Sequence, residues 1–563
     1  MNKKFVMKPL LAALLLTLPA LAVQAATPVV PSAGMILQEV QPVKPLLPSS
    51  VGTGLTIQQE DGAKLPPSAP FMVKVFRISG NTLFDTATLQ ALIADGQGQS
   101  LSLVQISALA ERITDYYHSH DYPLARAIIP AQVIQGGVVN IEIIEAHYGK
   151  INLNNTSLVI DSLLAATLAP LQSGHSIGQA EMDHALLLLS DVPGVVVAAV
   201  LKPGEAVGSA DLLVNTTPGP TSSGNVVLDG YGNRYTGRER IGGTVTFINP
   251  LHHGDTFTAN GLSSGSGMNY GRFAYESLLN GMGTRMGGAY SALHYILGES
   301  AAALDAHGTA QVESLWAKHT LVRSRDINTY GQIQYDGLKL RDHIDATTPP
   351  RRTDRHLDNW TASLTGDDRD TVLAGGVSAW NLSWTVGRVT FDDAQAQSDD
   401  AAAAKTEGRF SKWNASLARL QGLSDKNTLY LAFSGQWANN NLDSSQKTTA
   451  GGPYTVRAYD MGAVSGDSGY LLTIEFRRDL GMTWGGQWQA VAFVDSAGVK
   501  VNQTPWATGP NEATLNGIGF GLNWAGPDQW TARVYLATPV GSSPALVGLT
   551  NATRTWVEVS KRF

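Results

Sequence analysis

Four places in this 563-residue chain carry residue types that do chemistry. "GDSGY" (466–470) sets Ser468 between Asp467 and Gly469, the kind of stretch that surrounds a serine-protease nucleophile, but no His/Asp context that would activate the hydroxyl can be identified. His252 and His253 stand together with only Asp255 near them; polar filling of a tight turn accounts for them better than a metal site does. His118 and His120 follow an amphipathic stretch and suit the solvated C-terminal end of a helix. The fourth place is "TVRAYDMG" (455–462), in a Gly/Ser/Thr/Asn-rich run over 440–469, where Arg457 lies between Tyr454 and Tyr459. A guanidinium offers bidentate hydrogen bonding to a carboxylate and stacking on aromatic rings. A candidate carboxylate is Asp495 in "WQAVAFVDSAG" (488–498). A strand's period of two puts Gln489, Val491, Phe493 and Asp495 on one face and Trp488, Ala490, Ala492 and Val494 on the other. From the residues alone, a solvated loop arginine and a solvated carboxylate remain the alternative to an ion pair.

Composition narrows the classes. The chain has no cysteine, which excludes disulfides, a thiol nucleophile and cysteine-ligated metal. No GxxxxGK(S/T) phosphate loop appears. A net charge of −7 with no basic stripe gives nucleic acid no footprint. These residues give no ground to expect a metal or a nucleotide cofactor.

The elements that must position Arg457 and Asp495 follow from the changing texture of the chain. Lys3, Lys4 and Lys8, an apolar run from Leu10 to about Ala22, and small residues Val23 and Ala25 predict a secretory signal peptide over 1–25. Residues 26–70 are Pro-rich; "PSAGMILQEVQP" predicts one short helix over about 31–41, capped by Ser32 and stopped by Pro42, with an extended linker after it. Residues 71–147 alternate strand and helix patterns, including a helix over 103–120 and two strands around a Gly-Gly turn. Residues 148–219 repeat the order, so two small α/β modules in tandem are expected. No later stretch reaches the roughly 18 apolar residues of a membrane helix.

From 220 to 563 glycine and aromatics rise and segments such as "GGTVTFINP", "YLLTIEFRRDL" and "NGIGFGLNW" alternate in polarity. Roughly 16 such segments, with short connections alternating with long ones, predict a transmembrane β-barrel. "LRDHIDATTPPRRTDRHLD" and "FDDAQAQSDDAAAAKTEG" are read among the long loops. In "TWVEVSKRF", Thr555, Val557, Val559 and Phe563 share an apolar face and Trp556, Glu558, Ser560 and Arg562 a polar one. Lys561 breaks the apolar face and is expected to snorkel at the membrane edge.

This order of parts resembles the two-partner secretion transporters of the ShlB/FhaC/HecB family, relatives of BamA whose N-terminal modules are POTRA domains. "YPLARAIIPAQVIQGGVVNIEIIEA" (122–146) is similar to the end of the family's first POTRA domain, with Asp121 where the family usually has glycine. "LDGYGNRYTGRERIGGTVTFINPLHHGD" (228–255) is similar to its first barrel hairpin. "VRAYD" (456–460) is similar to the VRGY motif of the sixth extracellular loop, and "AFVDSAG" to the Phe-x-Asp motif of the thirteenth strand's inner wall. The resemblance implies a mainly β chain: a ~16-stranded barrel preceded by two periplasmic POTRA domains (71–147 and 148–219) and a plug helix. It implies an outer-membrane exporter of a large exoprotein (an adhesin, haemolysin or contact-dependent toxin) recognised through its N-terminal secretion domain, and not an enzyme, with no catalytic residue, cofactor or metal. The partners are that exoprotein and outer-membrane lipid, and the transporter is a monomer; a BamA-like insertase is the alternative. Val456, Arg457, Tyr459 and Asp460 become the transport-loop motif and Phe493 and Asp495 the inner-wall motif. Arg457 is then expected to pin its loop to Asp495, with Tyr454 and Tyr459 packing the tip against the wall. Ala458 replaces the family's glycine, which leaves open whether the tip needs a left-handed backbone there.

Overall fold

The computed structural model describes residues 30–40, 54–57, 68–542, 544–547 and 552–563; the expected signal peptide and most of the expected linker lie outside the described residues. Two short elements come first, helix α1 (Ala33–Val40) and strand β1 (Leu55–Ile57).

The first module contains β2 (Phe71–Met72), β3 (Val75–Ser79), α2 (Thr86–Ala91), β4 (Ser100–Leu101), α3 (Leu103–Ser119), β5 (Arg126–Ile128) and β6 (Val138–Ile144). β6 pairs parallel with β3 and antiparallel with β5. The apolar face of α3, with Ile106, Leu109 and Ile113, packs with Phe76 and Ile141 from this sheet. A capping box between Ser102 and Gln105 starts α3. Periodicity had missed α2, which is too short to show a period; its signal is Asp85, whose carboxylate accepts the Thr88 amide at 2.8 Å.

Glu145, just after β6, closes the turn that follows β3. It accepts the amides of Thr82 and Leu83 at 2.8 and 2.9 Å and the Tyr117 hydroxyl at 2.7 Å. Burial pushes its carboxyl up, but the hydrogen bonds from Thr82, Tyr117 and Leu83 outweigh burial and hold it below the ordinary carboxylate range. A lowered folded value means the stabilisation is complete above the unfolded value, near ~4.3, and is lost as pH falls through the folded one. Glu145→Ala strands two amides and the hydroxyls of Tyr117 and Thr82. It is expected to cost the module about 2 kcal/mol near neutral pH and to flatten its stability as the pH falls below about 5. Hydrogen exchange of α3 amides in the whole protein checks both.

The second module repeats the β-α-α-β-β order with β7 (His147–Asn155), α4 (Asp161–Leu168), α5 (Gln179–Ser190), β8 (Val195–Pro203) and β9 (Ser209–Pro218). Leu164, Leu186 and Leu189 of the helices bury against Leu212 and Val214 of the sheet. Its sheet runs β1-β8-β9-β7, so β1 adds a strand from outside the module. The module rests on the rim of the barrel. Asp191, which ends α5, takes Arg323 bidentately at 2.7 and 2.9 Å, and Arg325 reaches Asp183 at 2.7 Å.

Sixteen antiparallel strands, from Ser222–Asp229 to Arg554–Arg562, form a closed barrel. The first strand pairs with the last from Asn225↔Arg562 to Asp229↔Glu558, so the barrel has no free edge. The alternation expected from the sequence holds. Phe273, Trp384, Phe476, Val494 and Val557 point outward and are exposed, while Glu475, Asp495, Trp556 and Ser560 are buried inside. Lys561 sets its ammonium 5.2 Å from the Trp530 ring centroid.

One loop reading is corrected. Residues 340–358 belong mostly to two long strands, Ile327–Ile344 and Arg351–Asp370, which stay paired out to Ile344↔Arg351. Beyond the apolar band the outer face is wet, and the inner face carries Asp342 and Arg355 beside the buried Leu340 and Leu357, so the alternation that marks a strand is missing there although the backbone ladder continues. Arg341 still faces Asp354 across that ladder. The other named loop holds a helix, Ala394–Ala402, capped by Asp393.

Candidate functional site in the barrel lumen

Between the eleventh strand (Asn427–Ala438) and the twelfth (Ser468–Thr483) the chain turns back into the barrel. A two-stranded ribbon, Thr448–Ala450 with Val464–Gly466, forms the stem. Gly451 and Gly452, at φ of 105° and 116°, turn the chain above it, a conformation L side chains resist. The tip carries Val456, Ala458 and Tyr459 into a cluster with Val491, Phe493 and Leu515 of the wall.

Arg457 is fixed on every side. Its Nε and Nη2 donate to the two Asp495 carboxylate oxygens at 2.8 and 2.7 Å, and its backbone amide donates to the same carboxylate at 3.1 Å. Nη1 donates to Glu475 Oε1 at 2.6 Å, and Arg477 Nε donates to the other Glu475 oxygen at 2.8 Å. Thr473 donates to Asp495 at 3.0 Å. The guanidinium lies 3.4 Å from the Phe493 ring centroid, in stacking reach. Trp556 of the last strand donates its indole N–H to the Arg457 carbonyl at 2.7 Å. Two arginines and two carboxylates make the cluster neutral; side-chain exposures of 4% for Arg457 and 0% for Asp495 make its centre dry, with Arg477, 24% exposed, at its edge. A desolvated pair of this kind depends on full hydrogen bonding, which it has.

The other motif residues divide the work. Phe493 supplies the ring under the guanidinium. Asp460 lies outside the pair and anchors the tip elsewhere, to Arg238 at 3.1 Å and to Arg554 at 2.9 Å. Tyr459 is buried, whereas Tyr454 stays half exposed, its ring edge-on to Tyr231 at 5.5 Å. Ala458 is not among the residues with positive φ, so the tip does not use the left-handed backbone there. A Cβ added at Gly517 would stand 2.6 Å from the Ala458 methyl, so the wall makes room for this alanine with a glycine of its own.

A second buried cluster seats α1. Arg355, on a barrel strand, donates to Asp342 at 2.8 Å, to Ser444 at 3.0 Å and to Asp443. Asp342 accepts the Ala33 amide at 2.6 Å, the first amide of α1. Ser32, expected to cap its own helix, instead donates to Ser444 of the folded-in loop at 2.8 Å. Further along α1, Gln38 donates to the Lys447 carbonyl at 2.7 Å and Glu39 accepts from Asn233 at 3.0 Å. Ile36, Leu37 and Val40 pack with Tyr295, Leu340 and Phe410 of the wall. The loop and the helix therefore fill the lumen together and touch each other.

Sequence reasoning missed Glu475, Arg477, Asp342, Arg355 and Asp443. A signal for the first two exists in "YLLTIEFRRDL", where Thr473, Glu475 and Arg477 alternate with Leu472, Ile474 and Phe476. The remaining candidates sit in structural contacts. Ser468 accepts the Ala438 amide at 3.1 Å at the start of the twelfth strand, and Asp467 binds the Leu442 amide and Lys447. His252 contacts the Leu158 carbonyl and His118 the Ala125 carbonyl. Among the described residues no cluster of three or more His, Asp or Glu is placed to hold a metal.

Comparison with known proteins matches residues 208–524, more than half of the chain, to the model of the haemolysin secretion/activation proteins ShlB/FhaC/HecB. Residues 71–146 match the ShlB-type POTRA domain. The heme/hemopexin transporter protein HuxB of Haemophilus influenzae strain 86-028NP is 26% identical over 85% of this chain and 84% of its own length. The solved structure of CdiB from Escherichia coli has the same fold, with a TM-score of 0.69 at 22% identity over 91% of this chain and 94% of that one. BamA of Haemophilus ducreyi lacking POTRA domains 1–3 is more distant, with a TM-score of 0.50 at 13% identity over 88% of this chain and 100% of that one.

Proposed function

This chain belongs to the haemolysin secretion/activation protein family ShlB/FhaC/HecB, and on that footing we propose how its barrel is held shut and how its modules serve export. It is an outer-membrane transporter that exports a cognate exoprotein by two-partner secretion. The resting state is a barrel closed by its own chain: α1 seated through Asp342 and Arg355, and the loop pinned through Arg457 to Asp495 and Glu475. The single observation that carries this reading is the dry, neutral Arg457 cluster, which holds a loop where cargo must pass. Arg457, Val456, Tyr459 and Asp460 are the transport-loop residues, and Phe493 and Asp495 their wall partners.

The two modules lie in the periplasm, where they take the exoprotein's N-terminal secretion domain as an extended chain by strand addition. The protein works as a monomer with its outward apolar face in outer-membrane lipid. No catalysis is needed, and folding of the cargo outside supplies the drive. The cargo is a large secreted exoprotein such as an adhesin, haemolysin or contact-dependent toxin.

The test expresses this chain with a candidate large exoprotein carrying an N-terminal secretion domain, in a host lacking both. Cargo in the medium only when the chain is present is the expected result. Cargo retained in the periplasm, together with loss of other barrels on depletion, would favour the insertase alternative.

A further inference from the structure

We propose that the outer edge of β8 is the docking strand for an extended segment of the exported protein, and that β1 is a stand-in which that segment displaces. The proposal rests on the export reading above. β1 pairs parallel with β8 as Leu55↔Ala199, Thr56↔Val200 and Ile57↔Leu201. The Gly54 carbonyl accepts the Ala199 amide at 3.0 Å, starting the ladder. Without β1 the sheet would end at β8, exposing a row of unpaired backbone groups of the kind that captures extended chains.

Three features mark β1 as replaceable. It covers three residues of a nine-residue strand, so an incoming segment can pair over a longer stretch. Only Leu55 packs against the module's core, while Thr56 and Ile57 are exposed, so little apolar area holds β1 in place. Its entry depends on Gly54 at φ 61°, where a side chain would press on the Val197 carbonyl at 2.4 Å; the pairing is therefore confined to the residues after that turn. The same contacts define the partner. Leu55 and Ile57 lie opposite Ala199 and Leu201, both buried, whereas Thr56 lies opposite the less buried Val200. The edge therefore fits a parallel segment with an apolar residue at every second position, longer than β1 and free to continue towards Val195.

The cysteine-free chain makes the test clean. In Thr56→Cys/Val200→Cys the two thiols would face each other across the ladder, on the face away from the core, at a spacing that neighbouring strands allow. The disulfide is expected to form in the outer-membrane protein and to cut secretion of the co-expressed exoprotein at least tenfold, with recovery on adding reductant. Thr56→Cys alone is expected to secrete normally. Full cross-linking with normal secretion overturns the proposal, and so does failure to cross-link. If wild type and the single variant also fail to secrete from a folded barrel, the export reading falls and takes the proposal with it.

A second variant guards against a merely structural effect. Thr56→Pro removes a ladder donor from β1 and is expected to keep secretion while binding a fluorescein-labelled peptide of residues 53–59 at least tenfold more tightly than wild type. Loss of secretion in Thr56→Pro with the barrel folded, or unchanged peptide binding, would make β1 a fixed part of the module and overturn the stand-in role.

Discussion

Arg457→Ala is expected to release the loop from the barrel wall while leaving the barrel itself folded and inserted. The substitution removes the three side-chain hydrogen bonds to Asp495 and Glu475, keeps only the one made by the backbone amide, and leaves both carboxylates buried at 0% and 8% exposure. Stranding one side of a buried pair costs about 3–5 kcal/mol. Arg477 still neutralises Glu475, so Asp495 bears most of the loss. The strand ladder is untouched, since the ion pair lies inside the barrel and adds no strand pairing. The readout is limited proteolysis beside heat-modifiability. Cleavage within 452–462 should rise by two orders of magnitude, from the ~1.4 kcal/mol per tenfold relation, with the heat-shifted band unchanged. Arg457→Lys keeps the charge but loses the bidentate fork and the ring stacking, and should fall between. A loop equally protected in Arg457→Ala would assign the pinning to Tyr459 and the Asp460 contacts instead.

Arg355→Ala carries the second large effect, on the plug. Arg355 is the shared partner of Asp342, which holds the first amide of α1, and of Asp443 and Ser444 in the loop. Its loss leaves Asp342 and Asp443 without the cation they share, again about 3–5 kcal/mol. Part of that is relieved only if α1 or the loop moves away, so the seated state of the helix is penalised against the unseated one. The expected outcome is a transporter whose mean conductance in planar bilayers rises, with open dwell times lengthened at least tenfold. Arg355→Lys should sit near wild type if charge alone matters and near alanine if the fork does. Wild-type conductance in Arg355→Ala would show that the apolar contacts of Ile36, Leu37 and Val40 suffice to seat the helix.

The unequal legibility of these two clusters has a physical cause. Arg457 and Asp495 stood out because each breaks a local pattern, an arginine amid small polar residues and a carboxylate on a strand whose other face is apolar, but their pairing was implied only by the resemblance of "VRAYD" and "AFVDSAG" to the family's motifs. Asp342 and Arg355 lie in a stretch dense with charge, "RDHIDATTPPRRTDRHLD", where no single charge stands out and even the strands are hidden. Their meaning comes from a contact with Ala33, more than 300 residues away in sequence. The barrel itself was legible from alternation and from the closing strand "TWVEVSKRF", because a chain with lipid on one side and a wet lumen on the other must write that boundary into every second residue. Strand β1 was not legible, since three residues of "LTI" show no period and their partner strand lies far along the chain.

The most direct measurement of the loop's part in export compares exoprotein in the medium from cells carrying wild type, Arg457→Lys or Arg457→Ala, with each barrel verified as heat-modifiable in the outer membrane. Secretion lost in Arg457→Ala and partly kept in Arg457→Lys, with equal amounts of folded barrel, is the expected result. Wild-type secretion by Arg457→Ala would contradict it.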